Sequence, residues 1–440
     1  MKPHGKRRPV VLYQPADEGS VMPLGLLALG SWLSGEHVVI VDGRFELAPE
    51  SRVVELARGA LCLGVNARTG PGLREALRVS AAARAASPGL PIAWGGPHAT
   101  LDPGSCLETG VVDACAIGAG EEALGAAVSA LRAGQSLREV GLLTVAGEEA
   151  CEPAPPPTTL WPRADYTLLD LERHFERRGG RRLDYCSSRG ARDGAAWMGL
   201  RAERVVAETR ELSERYRLAE VLFQDEDFFT DPERVEAIAL GMLEGGPLYW
   251  QGGARPEDAA AAAPERLRLL AESGCRRLVL CVRPGAAGRE LLMDAGTRLH
   301  SAGLGARFIF DVKEPHDGAD SLRSAVSVAR SLCALDERFE TPIRRVPDLR
   351  PEGAPTVEGW AARTEAPWKD RRAERRRARA TFFFEEAQRD PGRRLSKHLV
   401  RLLALLRVRL GFFGVDIDRR AIEAATVLRT GRARRPAQRD

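Results

Sequence analysis

At 440 residues, with 44% hydrophobic and 29% charged side chains, the chain exceeds what one hydrophobic core organises and is read as two or three globular domains. A net charge of +4 excludes a protein whose whole surface is an electrostatic nucleic-acid binder. No apolar run approaches the roughly 18–20 residues that cross a bilayer, and MKPHGKRRPVVLYQP has no signal-peptide core, so the expected location is the cytoplasm without membrane insertion.

The first 135 residues alternate strand and helix. Strands are expected at Pro9 to Gln14, His37 to Asp42, Leu61 to Asn66, Pro91 to Trp94 and Ala114 to Ile117. The helices between and after them are Pro23 to Leu33, Glu50 to Ala57, Gly70 to Ala86, a short Gly104 to Thr109, and Glu121 to Leu131. Continuous apolar runs such as VVIVD suit a parallel sheet covered on both faces, so the expectation is a doubly wound, flavodoxin-like (Rossmann-type) α/β domain over residues 1–150.

Proline density without periodicity in PAPPPTTLWP marks a stiff linker within residues 151–166. Beyond it strands are expected at Arg182 to Ser187, Glu220 to Asp225, Leu248 to Gly252, Arg277 to Val282, Ala306 to Val312 and Thr341 to Val346. Helices follow the first five, at Ala202 to Tyr216, Pro232 to Leu243, Pro264 to Ser273, Arg289 to Ser301 and Ser321 to Leu335. Six strand–helix repeats without hairpin signals predict a partial (β/α)6 TIM-like barrel over residues 167–350. Residues 351–440 read as a helical, basic region whose Arg-rich runs, Lys369 to Arg379 and Arg429 to Arg439, lack interleaved aromatics and are taken as solvated faces with no nucleic-acid partner. The eight cysteines, at 62, 106, 115, 151, 186, 275, 281 and 333, form no CxxC pair and are read as small core hydrophobes.

In an open α/β sheet the ligand lies outside the carboxyl ends of the strands. There the chain has Asp42-Gly43-Arg44, the run from Asn66 through Arg68, Thr69 and Gly70 to Gly72, Gly95-Gly96-Pro97-His98, and Gly118-Ala119-Gly120-Glu121. Glycine at such ends lets backbone approach a large flat or phosphate-bearing ligand. In this order, PLGLLALGSWL, VVIVDGR, NARTGPGLREAL, IAWGGPHATLDP and AIGAGEEAL resemble the cobalamin-binding domain of the B12-dependent radical SAM enzymes, in particular the magnesium-protoporphyrin cyclase-like group. The resemblance implies a cobalamin cofactor lined by Leu24, Asp42, Gly43, Arg68, Thr69, Gly70, Gly95, Gly96, Pro97, His98, Gly118, Gly120 and Glu121. The chain contains no Asp-x-His-x-x-Gly, so the resemblance further implies a base-off corrinoid with no protein histidine on cobalt, Arg68 or its neighbours lying on the lower face and His98 making a loop hydrogen bond.

The second half is similar to the same family in RLDYCSSRG, EVLFQDEDFFTDPERV, GGARPED, LRLLAESGCRRLVLCVRPG and HSAGLGARFIFDVKEP. Relatives continue SSRG with a CxxxCxxC loop whose thiolates hold a four-iron cluster; here either Ala191, Ala195 and Met198 stand at that spacing, and Ala has no donor atom, or, with Trp197 aligned to the relatives' Trp before the first helix, the loop is deleted. A relative's Gly-x-Glu-Ser-Gly is replaced by Cys281-Val-Arg283-Pro284-Gly285. No iron–sulfur cluster and no reductive cleavage of S-adenosylmethionine are therefore expected.

Gln224, Asp225, Glu226 and Asp227, with Arg255, Arg283, Asp311, Lys313, Glu314 and His316, are expected at strand ends, where Asp225, Asp227, Arg255, Arg283 and Asp311 are the candidate catalytic set. Each could equally be a structural polar group such as a helix cap. Two readings stay open: a cobalamin-dependent enzyme doing methyl or alkyl transfer or radical carbon–carbon bond formation on a small biosynthetic intermediate, served by a reductant or homologous partner protein, and a non-catalytic cobalamin-binding partner of an active homologue.

Overall fold

The apolar runs VVLYQ, VVIVD and CLGVN lie side by side as the strands β1 (Val10–Gln14), β2 (Val38–Asp42) and β3 (Cys62–Asn66), each too hydrophobic to leave either face to water. The chain is described by a computed structural model over residues 7–16, 21–70, 72–155, 161–192, 197–282, 288–314, 319–341, 343–347, 356–358 and 360. Two more strands, β4 (Ile92–Gly95) and β5 (Ala114–Cys115), and a short β6 (Thr144–Val145) complete a sheet of order β2-β1-β3-β4-β5-β6, parallel except for β6. This is the doubly wound, flavodoxin-like order expected, with its switch point between β1 and β3.

Helices cover both faces. On one side α1 (Leu24–Trp32), apolar nearly all round, buries Leu26 and Leu27. On the other, α2 (Pro49–Ala57) and α3 (Gly72–Ala86) pack over Val11, Leu63 and Trp94. The short α4 (Pro97–Leu101) and α5 (Pro103–Leu107) follow β4, and α6 (Glu121–Arg132) follows β5. Val357 and Trp360 also enter the second of these cores.

Two compact units divide the chain: Met1–Gly253 with Glu272–Cys275 and Leu349–Ala366, and Ala254–Ala271 with Arg276–Asp348 and Pro367–Asp440. Within the first, a charged helix that the sequence reading lacked, α7 (Leu171–Arg178), precedes β7 (Arg182–Tyr185). A two-residue hairpin, β8 (Ser188–Arg189) with β9 (Met198–Gly199), then leads to α8 (Ala202–Tyr216). Strand β10 (Glu220–Phe223) pairs in parallel with β7 and with β11 (Tyr249–Ala254), and α9 (Pro232–Glu244) crosses between β10 and β11. Phe223, Phe228 and Trp250 form an aromatic core there, with ring centroids 4.8–6.0 Å apart.

The second unit contains α10 (Pro256–Ala261), α11 (Pro264–Glu272), β12 (Cys275–Val282), α12 (Arg289–Ser301), β13 (Gly305–Glu314) and α13 (Ala319–Leu335). The last expected strand is divided into β14 (Phe339–Glu340) and β15 (Ile343–Pro347), and both pair in parallel with β13, as β12 does. Arg283, His316 and the Arg-rich runs beyond residue 360 lie outside the described residues. Among the described residues, no helix is long and apolar enough to cross a membrane.

Candidate functional site

The carboxyl ends of β1 and β3 are joined where the sheet order reverses: Asn66 Nδ2 donates to Gln14 Oε1 at 2.7 Å. Glu75 of α3 reaches the same edge, accepting from Tyr13 Oη at 2.6 Å and from the Ala16 amide at 2.9 Å. Gly96 follows β4 with φ +89°, and a Cβ there would stand 2.1 Å from Asn66 Oδ1, so only glycine admits this crossing. Gly70, buried after Thr69, has φ +142°, a conformation that favours glycine, with nothing within 4 Å of an added Cβ.

Several expected ligand residues are instead engaged within the protein. Asp42 is buried and accepts from Arg44 Nε at 2.8 Å and Nη2 at 2.6 Å, while His174 Nε2 lies 3.7 Å from it. His98 is fully buried: its Nδ1 is 3.0 Å from Thr69 Oγ1, its Nε2 is 3.5 Å from Ser105 Oγ, and Trp360 packs edge-on at 5.5 Å. Gly118, at φ +77°, runs beside Ala154, whose backbone oxygen is 2.5 Å from where a Cβ would sit; its amide donates to Thr100 Oγ1 at 3.0 Å. The freedom of that glycine serves the linker's approach. Leu24 is half-buried at the start of α1, Arg68 and Pro97 are exposed, and Gly43 packs under Tyr13 and Ala16.

Glu121, buried at the start of α6, receives the guanidinium of Arg189, which also stacks on Trp161 with its carbon 4.5 Å from the ring centre. Beside this stack is a cavity of about 40 Å³, lined among others by Leu24, Leu27, Tyr185, Cys186 and Glu208. Glu208 accepts from Tyr185 Oη at 2.7 Å.

The turn that follows β7 is held by one carboxylate. Asp225 Oδ1 accepts from the amides of Ser187 at 2.6 Å and Ser188 at 3.0 Å, and Oδ2 accepts from Ser187 Oγ at 2.5 Å. Arg234 donates from Nη2 to Ser187 O at 2.9 Å and from Nε to Leu200 O at 2.6 Å. Asp227, equally buried, takes Arg192 Nε at 3.0 Å and Nη2 at 3.1 Å, and its carbonyl accepts from Trp197 Nε1 at 3.0 Å. Cys186 donates to Ser188 O at 3.1 Å. In the second unit Arg255 caps α10, its amide donating to Asp258 Oδ2 at 3.3 Å, and Asp311, half-buried, lies on β13 with Lys313 and Glu314.

Desolvation dominates the titration of the buried groups. It pushes the Asp225 carboxyl up from its ordinary value against three hydrogen bonds that pull it down, and pushes the Cys186 thiol up to about 12 with help from Asp225. Asp184 is raised for the same reason, although Arg178, the Met22 amide and Gln224 Nε2 all converge on it. Burial lowers His174 to about 4. Among the described residues no three His, Cys, Asp or Glu side chains are grouped as a metal ion requires.

Local pattern had missed Glu75, Asp184, Arg192 and Glu208. Only buried polar residues at strand ends and in helices hinted at them.

Residues 17–128 match the family model described as B12 binding domain. The uncharacterized methyltransferase PH0819 of Pyrococcus horikoshii is 25% identical over 339 residues, covering 70% of this chain and 73% of its own. Among solved structures, the radical S-adenosylmethionine methyltransferase TsrM from Kitasatospora setae, bound to its tryptophan substrate and a SAM analog, aligns with a TM-score of 0.60 at 17% identity over 75% of this chain and 71% of its own. The same enzyme with cobalamin and a 4Fe-4S cluster bound gives 0.61 at 16% identity, over 76% and 75%. OxsB, a cobalamin-dependent S-adenosylmethionine radical enzyme with aqua-cobalamin and S-adenosylmethionine bound, gives 0.60 at 15% identity, over 82% of this chain and 55% of its own. The chain thus carries a B12 binding domain and shares the fold of cobalamin-dependent radical SAM enzymes.

Proposed function

We propose that the chain is a cobalamin-dependent enzyme that transfers a methyl or alkyl group, or joins two carbons in a ring closure, without an iron–sulfur cluster and without reductive cleavage of S-adenosylmethionine. The observation that carries this reading is the Ser187–Gly199 segment. At the spacing that the resemblance assigns to the relatives' cluster cysteines its sequence has Ala191, Ala195 and Met198, and beside them Asp225 accepts three hydrogen bonds from Ser187 and Ser188 while Asp227 pairs with Arg192.

The ligand edge of the B12 domain fits the cofactor in that glycines flank the ends of β3 and β4, Gly70 and Gly96 at positive φ, beside the exposed Arg68 and Pro97. Leu24, Arg68, Thr69, Gly70, Gly95 and Pro97 would hold it; Asp42, Gly43, Gly96, His98, Gly118, Gly120 and Glu121 shape the loops that do so. Cobalamin bound there, for which the chain offers no Asp-x-His-x-x-Gly histidine, would supply a metal that exchanges alkyl groups and electrons. Asp225 and Asp227 position the turn, while Arg255 and Arg283 bind a small polar substrate and Asp311 moves its protons. In this reading residues 1–150 are the cobalamin domain, 151–166 the linker, 167–350 the partial barrel and 351–440 a helical flank, all in the cytoplasm.

The test is anaerobic reconstitution of the full chain with cobalamin, followed by absorbance spectra and iron and sulfide assays. A corrinoid bound one per chain with no iron is expected. Stoichiometric iron and sulfide would reject the cluster-free chemistry, and failure to take up any corrinoid would reject the cofactor.

A further inference from the structure

The core over which α3 packs is closed by two side chains from far along the chain. Val357 and Trp360 are each only 1% exposed within it, whereas Thr356 and Glu358 are exposed. The Trp360 amide donates to Thr356 O at 2.9 Å, so one helical turn presents the two apolar residues, three positions apart, on one face. This segment belongs to the same compact unit as the B12 domain, although the family model ends at residue 128. Trp360 seats on both ends of α4. Its ring packs edge-on to His98 at 5.5 Å, and its Nε1 donates to Asp102 Oδ2 at 2.7 Å, a partner 258 residues away. Asp102 is where α4 ends and α5 begins, and its Oδ1 accepts from the Ser105 amide at 3.1 Å.

His98 in turn clips the loop after β3 at two points. Its amide donates to Ala67 O at 2.9 Å, and its Nδ1 is 3.0 Å from Thr69 Oγ1. The Ser105 hydroxyl donates its one proton to Asp102 O at 3.1 Å, so toward His98 Nε2, 3.5 Å away, it can only accept. That puts the imidazole proton on Nε2 and leaves Nδ1 to accept from the Thr69 hydroxyl. We infer that Trp360 is a positioning residue of the ligand edge: seated on α4, it fixes His98 and through it the loop that carries Thr69. The imidazole is fully buried, and the indole is a wall that keeps water from competing for its nitrogens. The bond from indole to carboxylate holds the far end of α4, so the helix cannot pivot on Gly96, the flexible residue at its start. Thr69 is among the residues proposed to hold cobalamin, so the effect on that cofactor rests on the proposed function, but the effect on the loop does not.

The test measures hydrogen exchange on the full chain. The amides of Ala67 and His98, bonded to Gly95 O at 2.8 Å and Ala67 O at 2.9 Å, report the loop, and those of β2 report the sheet. Trp360→Leu keeps an apolar side chain but neither ring nor donor, and the loop amides should quicken about tenfold relative to β2. Trp360→Phe keeps an aromatic edge for His98 and loses the donor to Asp102; it should quicken them about threefold, and it carries the test if the leucine variant does not fold. Combined with His98→Leu, Trp360→Leu should fall short of the product of the two single effects by about fivefold, because both release the same clip. Loop amides that only keep step with β2 would make Trp360 a residue that merely fills the core, and single effects that multiply in full would break the path through His98; either result overturns the inference. Titration with hydroxocobalamin, followed by absorbance, should give a Kd about tenfold weaker in Trp360→Leu. Unchanged affinity in a variant with a loosened loop would overturn the link to the cofactor. Absence of binding by the unaltered chain would instead reject the proposed function and leave the exchange result standing.

Discussion

A Cβ on Gly96 would stand 2.1 Å from Asn66 Oδ1 in a backbone conformation that side chains resist, whereas a Cβ on Gly70 meets only open space. Gly96→Ala therefore combines backbone strain with the loss of the Asn66–Gln14 bridge and should cost about 3 kcal/mol; Gly70→Ala carries only strain, about 1–2 kcal/mol. Denaturant midpoints at constant m-value check the order. His174 gives a pH signature. Its ordinary value of 6.5 is lowered to about 4 by burial, so between these values the unfolded chain binds a proton that the folded chain refuses. Stability is unaffected above about pH 6.5 and falls as pH drops toward 4, by about 3 kcal/mol in all. In His174→Gln that segment of the pH–stability curve should flatten, as urea titrations at a series of pH values would reveal.

The turn after β7 depends on elements distant in sequence, and its energetics follow from the donors left behind. Asp225→Ala strands two amides and the Ser187 hydroxyl in a buried site and should destabilise by about 3–5 kcal/mol, while Asp225→Asn keeps one accepting oxygen and should cost about 1–2 kcal/mol. Thermal unfolding of the two variants, with trypsin sensitivity around Arg189 and Arg192, tests this. The same contrast explains what could be read in advance. Helices α8 and α12 fall on the residues expected because their apolar period is local, and the parallel runs of β1 to β4 declare themselves by composition. Helix α7, LERHFERR, was missed because only Leu171, His174 and Phe175 turn inward from an otherwise charged segment. The hairpin β8–β9 is too short to alternate. Asp225 and Asp227 were legible as polar strand-end residues, but a grip on Ser187 from 38 residues away, or the Arg189–Glu121 pair across 68, has no local pattern to announce it.

At the scale of the whole first unit, the B12 domain and β7 are not independent. Asp184 of β7 takes the Met22 amide at 2.6 Å, immediately before α1, while its own carbonyl accepts from Tyr166 Oη at 2.6 Å. Arg178 and Gln224 complete its shell, and Arg173 and Arg177 of α7 reach the carbonyls of Phe45 and Arg44 after β2. Leu168 packs where a Cβ of Gly30 in α1 would lie. A buried carboxylate with three such dependants cannot lose one side of the interface without stranding charge on the other, so the two parts should open together. Hydrogen exchange under mild denaturant should find the amides of β1 and β3 deprotecting with the same free energy as those of β7 and β10, within about 1 kcal/mol. Asp184→Ala should lower both together by about 3–5 kcal/mol. If the variant instead leaves β1 and β3 at their original protection while β7 opens, Asp184 does not couple the cobalamin-binding sheet to the strands that follow it.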